Sequence, residues 1–106
     1  MIGITYTRKD IIRKVSNQLD LGNKEVKIIL DEILDTMTGI FLEKHSILRL
    51  ELRNFGVFEI KPTKANPKAR NPRTNEIIYV PPHRKIQFKA GKILRKELKK
   101  EYQINK

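Results

Sequence analysis

Apolar residues near the start of the chain recur with the period of an α-helix. Thr7 and Asp10 have the spacing of a capping box, which predicts a helix that begins near Arg8. Apolar residues then follow at every fourth position and predict one apolar stripe along this helix. The stripe is expected to consist of Ile11, Val15 and Leu19.

A second, longer helix is predicted after a break at Leu21-Gly22-Asn23, with Asn23 as its N-cap. Its apolar positions keep the helical period but cover a wider arc than one small partner helix needs. We therefore expect this helix to lie in an interface, or in a core that two subunits share. The apolar positions are Val26, Ile29, Leu30, Ile33, Met37, Ile40 and Phe41, with Ile28 and Leu34 widening the arc.

The period changes to that of a β-strand from residue 48 onward. Leu48, Leu50 and Leu52 alternate with charged residues, as in a strand that is buried on one side. Asn54-Phe55-Gly56 predicts a turn, because Asn and Gly tolerate positive φ. A second strand is expected to follow through residues 58–60.

A polar and basic arm is predicted between the second strand and its return strand. Pro62 and Pro67 cannot donate to a strand ladder, so their nitrogens are expected to face an open edge. The return strand is expected to run through residues 77–79 and 86–88, with Pro81-Pro82 interrupting it.

A short final helix is predicted from Lys92 to about Tyr102, with Leu94 and Leu98 on its apolar side. The order of elements is therefore helix, helix, strand, strand, arm, strand, helix. Because the arm adds nothing to a compact core, the remaining body is small, and small bodies are marginally stable alone. Together with the wide apolar arc of the second helix, this predicts an obligate dimer.

The excess positive charge of the chain lies entirely in its second half. Residues 1–52 carry 8 basic and 8 acidic side chains, whereas residues 53–106 carry 15 basic and 4 acidic ones, which gives the whole net charge of +11. Charge concentrated in this way repels itself unless a polyanion neutralises it. Nucleic acid is the favoured polyanion, and an anionic membrane surface comes second.

Other classes of protein find little support in the sequence. Without cysteine, the chain can form neither a disulfide nor a thiolate metal site. We find no signal peptide and no run close to the ~18–20 apolar residues of a membrane span, and expect a cytoplasmic protein. His45 and His83 stand alone, and Asp31, Glu32 and Asp35 are more typical of a solvent-exposed helix face than of a metal site. We expect no enzymatic activity, cofactor, metal or small-molecule substrate.

Arg70-Asn71-Pro72, with Arg73 following, is the most specific local signal in the basic half of the chain. A proline in this position is either an ordinary turn residue or a rigid apolar wedge flanked by phosphate-binding arginines. Composition and periodicity alone leave both interpretations open.

Three segments resemble the signature segments of the bacterial histone-like HU and integration host factor (IHF) family. The resemblance extends from about Thr7 to Tyr102, and the Arg-Asn-Pro segment is its most specific part. The segments are Leu52-Arg53-Asn54-Phe55-Gly56-Val57-Phe58, Ala69-Arg70-Asn71-Pro72-Arg73-Thr74-Asn75 and Phe88-Lys89-Ala90-Gly91-Lys92.

The resemblance implies an α+β, IHF-like DNA-binding fold formed as an intertwined dimer. This fold has an N-terminal helical hairpin, a three-stranded antiparallel sheet with a long β-ribbon arm, and a short C-terminal helix. One domain is expected over residues 1–106, with a helical body at 7–45, saddle strands and arm at 47–89, and the last helix at 91–103.

The resemblance also implies which residues contact DNA. Pro72 is expected to intercalate between base steps and kink the duplex, as in minor-groove architectural proteins, of which HU and IHF are standard examples. For Lys96, Lys99 and Lys100 a solvated helix face is the favoured interpretation. The expected DNA-binding residues are Arg53, Lys61, Lys64, Lys68, Arg70, Asn71, Arg73, Arg84, Lys85, Lys89, Lys92 and Arg95.

The sequence departs from the common family pattern at several positions. Asn75 stands where glycine usually closes the turn at the tip of the arm, and Asn accepts positive φ there. Ala69 and Asn54 replace glycines, and Ala90 replaces a proline. The arm is one residue longer than the commonest form.

The function implied is that of a non-enzymatic, nucleoid-associated protein that bends and compacts double-stranded DNA. Its expected form is a homodimer or a heterodimer with a paralogue, without a membrane partner. Site-specific bending of the IHF type is an alternative, and a basic RNA-binding or ribosome-associated protein is an alternative from another class.

Overall fold

A computed structural model describes residues 3–100 of the chain, which fall into two compact units with the division between Glu43 and Lys44. The first unit contains two helices, and the second contains five strands and a short helix. The helices are α1 (Arg8–Leu19), α2 (Asn23–Phe41) and α3 (Lys92–Leu98), and the strands are β1 (Leu48–Leu52), β2 (Gly56–Pro62), β3 (Asn66–Arg70), β4 (Ile77–Val80) and β5 (Arg84–Ala90).

Helix α1 begins at Arg8, and the predicted pairing of Thr7 with Asp10 is confirmed. The Asp10 carboxylate accepts hydrogen bonds from the Thr7 N–H (2.7 Å) and from the Thr7 hydroxyl (3.0 Å). Because both bonds favour the charged carboxylate, the Thr7 backbone N–H first and its hydroxyl second, they hold the pKa of Asp10 below its usual range.

The turn between the two helices corrects one prediction. Asp20 ends α1 in the left-handed region (φ 54°), and the Ser16 hydroxyl donates to the Leu21 carbonyl. The residue that caps α2 is Gly22, which is extended (φ −69°, ψ 149°) and accepts the Val26 N–H at 3.2 Å. The prediction that Asn23 is the N-cap is wrong, because Asn23 already lies inside the helix.

The contact between α1 and α2 determines which side of α1 is buried. Ile12 and Ser16 of α1 are buried, together with Val26 of α2, whereas Ile11 and Leu19 are exposed. A sequence stripe shows only where apolar residues recur, and the packing partner decides which side is covered. The predicted apolar stripe of Ile11, Val15 and Leu19 is therefore not the side of α1 that is buried within one chain.

Asp31 of α2 links the two helices through ion pairs. Its carboxylate lies 3.0 Å from Arg8 of α1 and 2.8 Å from Lys27 of α2. The hydrogen bond from Lys27 is the main reason why the pKa of Asp31 is below its usual range, and Arg8 adds to the effect. Asp31 thus has a structural role in the helical hairpin.

The second unit is built on an antiparallel sheet with the strand order β1-β2-β5. The predicted turn between β1 and β2 is confirmed: Asn54 takes the positive φ (68°), and the Phe55 N–H donates to the Leu52 carbonyl at 2.9 Å. Gly56 has no positive φ. Position 56 has no space for a side chain, because a Cβ there would lie 2.6 Å from the Lys89 carbonyl oxygen and from the Phe88 ring.

The sheet has one apolar face, because cross-strand partners point to the same side. On this face Phe58 pairs with Phe88, and their ring centroids lie 4.9 Å apart. Phe55 joins the cluster at 5.4 Å from Phe88. These aromatic rings pack together, although Phe55 and Phe88 stay partly exposed in the single chain.

Strands β3 and β4 form a separate two-stranded ribbon with an irregularity in its ladder. Pro67 and Lys68 stand opposite the single residue Tyr79, which makes a β-bulge. The Lys68 N–H donates to the Oδ1 of Asn66 at 3.2 Å, so the bulge has a local hydrogen bond of its own. The bulge gives β3 one residue more than β4 over this stretch of the ribbon.

Helix α3 is shorter than predicted. It ends at Leu98, where the Lys99 N–H donates to the Arg95 carbonyl at 3.2 Å and the Lys100 N–H to the Glu97 carbonyl at 3.3 Å. The part of the prediction that extends to Tyr102 and residue 103 lies outside the described residues.

The first testable prediction concerns the close approach at Gly56. Gly56→Ala is expected to destabilise the protein by about 1–3 kcal/mol, because the added methyl group meets a backbone carbonyl that cannot move without disturbing the β2–β5 ladder. Denaturant unfolding measures the change. Gly3→Ala is the control, since a Cβ at Gly3 meets nothing within 4 Å; equal stability of both variants would contradict the prediction.

The second prediction concerns acid. Because the folded-state pKa of Asp31 is depressed, its contribution to stability is present above the ordinary pKa of about 3.9 and is lost as the pH falls through the lower folded value. Asp31→Asn should therefore reduce stability at pH 7 and lose this effect near pH 2, as measured by urea unfolding. Asp35→Asn removes another carboxylate of α2. An equal loss in both variants would show that the ion pairs of Asp31 are not responsible.

Candidate nucleic-acid interface

The end of the arm is a tightly hydrogen-bonded tip loop, formed by residues 71–76 between β3 and β4. The Asn71 N–H donates to the Glu76 carbonyl at 2.8 Å, and the Asn75 N–H donates to the Asn71 carbonyl at 2.7 Å. Asn75 takes a positive φ of 61°, as the sequence predicts for a residue that closes this turn. The backbone of the tip loop is thus defined by its own bonds.

Asn71 supports the turn with its side chain. Its Oδ1 accepts the backbone N–H of Arg73 at 3.0 Å, which is the bond of an Asx-turn across Pro72. The Asn71 carbonyl oxygen of the side chain is therefore engaged, and its NH₂ group is the part that retains capacity for a ligand. Pro72 sits exposed inside this turn.

Arg70 and Asn75 face each other across the tip loop. The Nη1 of Arg70 donates to the Oδ1 of Asn75 at 2.9 Å, and both residues are exposed. Because a guanidinium has five N–H donors, this bond leaves most of them available. The bond ties one positive charge to the tip loop, and Arg73 adds a second directly after Pro72 in the chain.

The junction between the sheet and the arm is held by Thr63 and His83. The Thr63 N–H donates to the His83 carbonyl at 2.7 Å, and the His83 N–H donates to the Thr63 hydroxyl oxygen at 3.1 Å. The His83 Nδ1 also lies 3.1 Å from that hydroxyl and from the Pro81 carbonyl. This set of bonds continues the β2–β5 pairing past Pro62, where the ladder ends.

Three predicted DNA-binding lysines share one face of the sheet, which we call the lysine face and define by Lys61, Lys85 and Lys89. Lys61 and Lys85 are direct cross-strand partners, and Lys89 follows four residues later on β5. Side chains two and four residues apart on a strand point to the same side. The lysine face is therefore opposite the apolar face of the same sheet.

Glu59 lies in the middle of the lysine face. Its carboxylate is 2.9 Å from the Lys89 Nζ and 3.2 Å from the Lys61 Nζ, and the residue is only 7% exposed. The hydrogen bonds from Lys89 and then Lys61 hold the pKa of Glu59 below its usual range. Glu59 thus relieves the repulsion between lysines and neutralises part of the charge that they present.

Arg84 is set apart from the lysine face. Arg84 is the first residue of β5 and pairs with Pro62, on the same side of the sheet as Ile86 and Phe88. Its Nη1 donates to the His45 carbonyl at 2.9 Å. The structure therefore gives Arg84 an intramolecular bond, and its predicted DNA contact stays a prediction.

The other predicted residues occupy two further regions. Lys64 and Lys68 are exposed along the arm, in the segment before β3 and in its bulge. Arg53 lies in the β1–β2 turn, at the end of the sheet remote from the arm. The start of α3 is beside that turn, since the Gly91 N–H donates to the Phe55 carbonyl at 2.8 Å. Lys92 and Arg95 extend from this end on exposed positions of α3.

Comparison with known proteins decides the family. A family model described as bacterial DNA-binding protein matches residues 6–99. The chain belongs to this family, that of HU and IHF. The basic tip loop and the lysine face are therefore parts of an architectural DNA-binding fold.

Individual HU and IHF proteins match along nearly their whole length. The DNA-binding protein HU of Thermotoga maritima is 33% identical over 93 residues, which cover 88% of this chain and 99% of that protein. The IHF subunit alpha of Hydrogenovibrio crunogenus is 32% identical over 95 residues, covering 90% and 94%. A cocrystal structure of Anabaena HU with DNA matches with a TM-score of 0.76 and 26% identity, covering 89% of this chain and 98% of that one.

The HU/IHF match confirms the predicted α+β fold with its three-stranded sheet and β-ribbon arm. The family is one of architectural proteins and is not known for catalysis. In the described part of the chain, no helix has the length and apolar character needed to cross a bilayer.

Sequence reasoning missed the parts of the HU/IHF site that depend on pairing across strands or across the tip loop. Glu59 was not recognised as the partner of Lys61 and Lys89, although its position two residues before Lys61 places it on the same side of β2. The bond from Arg70 to Asn75 had no sequence signal, because it depends on the conformation of the tip loop.

Glu59 provides the prediction for this site. Glu59→Gln should increase affinity for duplex DNA at low salt, because it releases two lysines for phosphates. It should also steepen the slope of log affinity against log salt by up to about 2, at about 0.9 for each added phosphate contact. Fluorescence anisotropy over a salt series measures both. Glu51→Gln is the matched control, since Glu51 is on the same side of the sheet and contacts Arg49 instead. An unchanged slope for Glu59→Gln would contradict the prediction.

Proposed function

We propose that this chain bends and compacts duplex DNA by inserting the tips of two arms into the minor groove, with Pro72 as the intercalating residue. The observation that carries this proposal is the exposed Pro72 in a hydrogen-bonded turn between two arginines. The matched HU, which was crystallised with DNA, supports it. We place the protein in the nucleoid on the same grounds.

A proline suits the role of a wedge for physical reasons. Its ring is rigid and apolar, and it has no N–H whose hydrogen bond would be lost between bases. Unstacking one base step costs a few kcal/mol, which is offset when the bent duplex contacts more of the protein. Arg70 and Arg73 would then lie in a narrowed minor groove, where the negative potential is enhanced.

Binding is expected to depend only weakly on sequence. The minor groove distinguishes little beyond A·T from G·C pairs, and the tip loop offers few groups for base recognition. The Oδ1 of Asn71 is already bound to Arg73, which leaves its NH₂ group to contact a base acceptor. The lysine face and the arm lysines supply phosphate contacts that carry no sequence information.

The functional unit is proposed to be a dimer, because one chain buries too little apolar surface. Among residues 3–100 the buried apolar side chains are Ile12, Val26 and Ile60. A groove along α2 is left uncovered. In this groove Ile28 is 69% exposed and Ile33 is 50% exposed. A second copy, or a closely related paralogue, that covers this groove and the apolar face of the sheet would complete the core.

The dimer leads to a specific prediction. Ile33→Asp should abolish the dimer and unfold the chain at micromolar concentration, because a carboxylate would be buried in the interface. Sedimentation and circular dichroism at several concentrations measure assembly and folding together. Gln18→Asp, at an exposed polar position of α1, is the control. A parent protein that stays folded as a monomer on dilution would contradict the proposal.

The wedge is tested by removing its ring. Pro72→Ala should reduce the bend angle of a random duplex much more than the affinity, because losing the wedge also removes the unstacking cost of a few kcal/mol. Energy transfer between dyes at the two duplex ends reports the bend. Pro82→Ala, between β4 and β5, is the control proline. An equal bend angle for Pro72→Ala and the parent would contradict intercalation. Tighter binding of the parent to structured RNA than to DNA of equal length would favour the RNA-binding alternative.

A further inference from the structure

Asn75 has two separate roles in the tip loop. Its backbone takes a positive φ of 61°, which closes the turn, and its N–H donates to the Asn71 carbonyl at 2.7 Å. Its side-chain Oδ1 accepts the Nη1 of Arg70 at 2.9 Å. Glycine would satisfy the backbone role equally well, since it adopts positive φ without strain. The side-chain role needs an acceptor that glycine lacks.

The backbone that carries the Asn75 acceptor is held by hydrogen bonds within the tip loop. Asn75 is tied to Asn71 by its backbone, and Asn71 is tied to Glu76 at 2.8 Å and, through its side chain, to Arg73 at 3.0 Å. Of the two side chains in the contact, that of Arg70 is the longer and has more rotamer freedom to lose. The bond therefore restrains Arg70 and leaves the other N–H donors of its guanidinium available.

We propose that Asn75 is a positioning residue that holds the guanidinium of Arg70 beside Pro72 in the free protein, ready to enter the minor groove with the proline. The inference rests on the proposed function, because it assigns Arg70 to the groove that Pro72 enters. Holding a flexible side chain in its binding position removes part of the entropy loss on association. Asn75 thus increases affinity without contacting DNA.

The experiment separates the turn from the restraint. Asn75→Gly keeps the positive φ and removes the acceptor, while Arg70→Ala removes the charge. The two single variants, the double variant and the parent are compared on one random duplex over a salt series. Affinity is measured by anisotropy, bend angle by energy transfer and folding by the melting temperature.

Asn75→Gly is expected to weaken binding about 3- to 10-fold, the range for restraining one flexible side chain. Its salt slope should equal that of the parent, because Arg70 keeps its charge. Arg70→Ala should reduce the slope by about 0.9, as for one lost phosphate contact. In the Arg70→Ala background, Asn75→Gly should have no further effect.

Three results would overturn the inference. In the first, Asn75→Gly binds DNA as tightly as the parent. In the second, Asn75→Gly loses as much affinity in the Arg70→Ala background as it does alone. In the third, the lower affinity of Asn75→Gly comes with a lower melting temperature and is restored when folding is stabilised. Failure of the proposed function is distinguishable, because then the parent protein itself does not bend the duplex. A parent that bends DNA, with no effect of Asn75→Gly, would leave the proposed function intact.

Discussion

The antiparallel pairing of β2 with β5 is the interaction on which the rest of the second unit depends. Its register, from Gly56 opposite Ala90 to Pro62 opposite Arg84, places phenylalanines on one face and lysines on the other. Because side chains alternate along a strand, a slip of one residue would exchange these faces. The same pairing continues through Thr63 and His83 into the arm, so the register that builds the apolar face also sets the base of the β3–β4 ribbon.

The two faces of the sheet differ in role: the apolar face bears on stability, and the lysine face bears on the proposed function. The apolar faces of the sheet and of α2 are left partly uncovered in one chain, and a second copy would cover them. Dimerisation would also provide two arms, which bending by paired wedges requires. On the opposite face of the sheet, Glu59 pairs with Lys61 and Lys89 and limits the repulsion among the lysines. The carboxylate therefore allows three lysines to share a small area of sheet.

Local patterns in the sequence were sufficient to predict the two long helices, the strands of the sheet and the turn at the tip of the arm. Helical and alternating periods placed both long helices and the sheet strands, and the turn residues Asn54 and Asn75 take the positive φ expected of them. Features that depend on a distant partner were not predictable. The buried side of α1 is set by its contact with α2, and the bond from Arg84 to the His45 carbonyl joins segments that lie 39 residues apart in the chain. Asn71 is expected to bind DNA, and the structure shows that its Oδ1 accepts the Arg73 N–H within the turn.

The most direct measurement is a crystal structure of the protein bound to a short duplex that contains a flexible pyrimidine–purine step. The Pro72 ring of each arm is expected between adjacent base pairs on the minor-groove side, at two kinks in the duplex, with Arg70 and Arg73 in the groove beside it. A complex in which the arms follow the phosphates of a straight, fully stacked duplex, with Pro72 in solvent, would contradict the proposed mechanism.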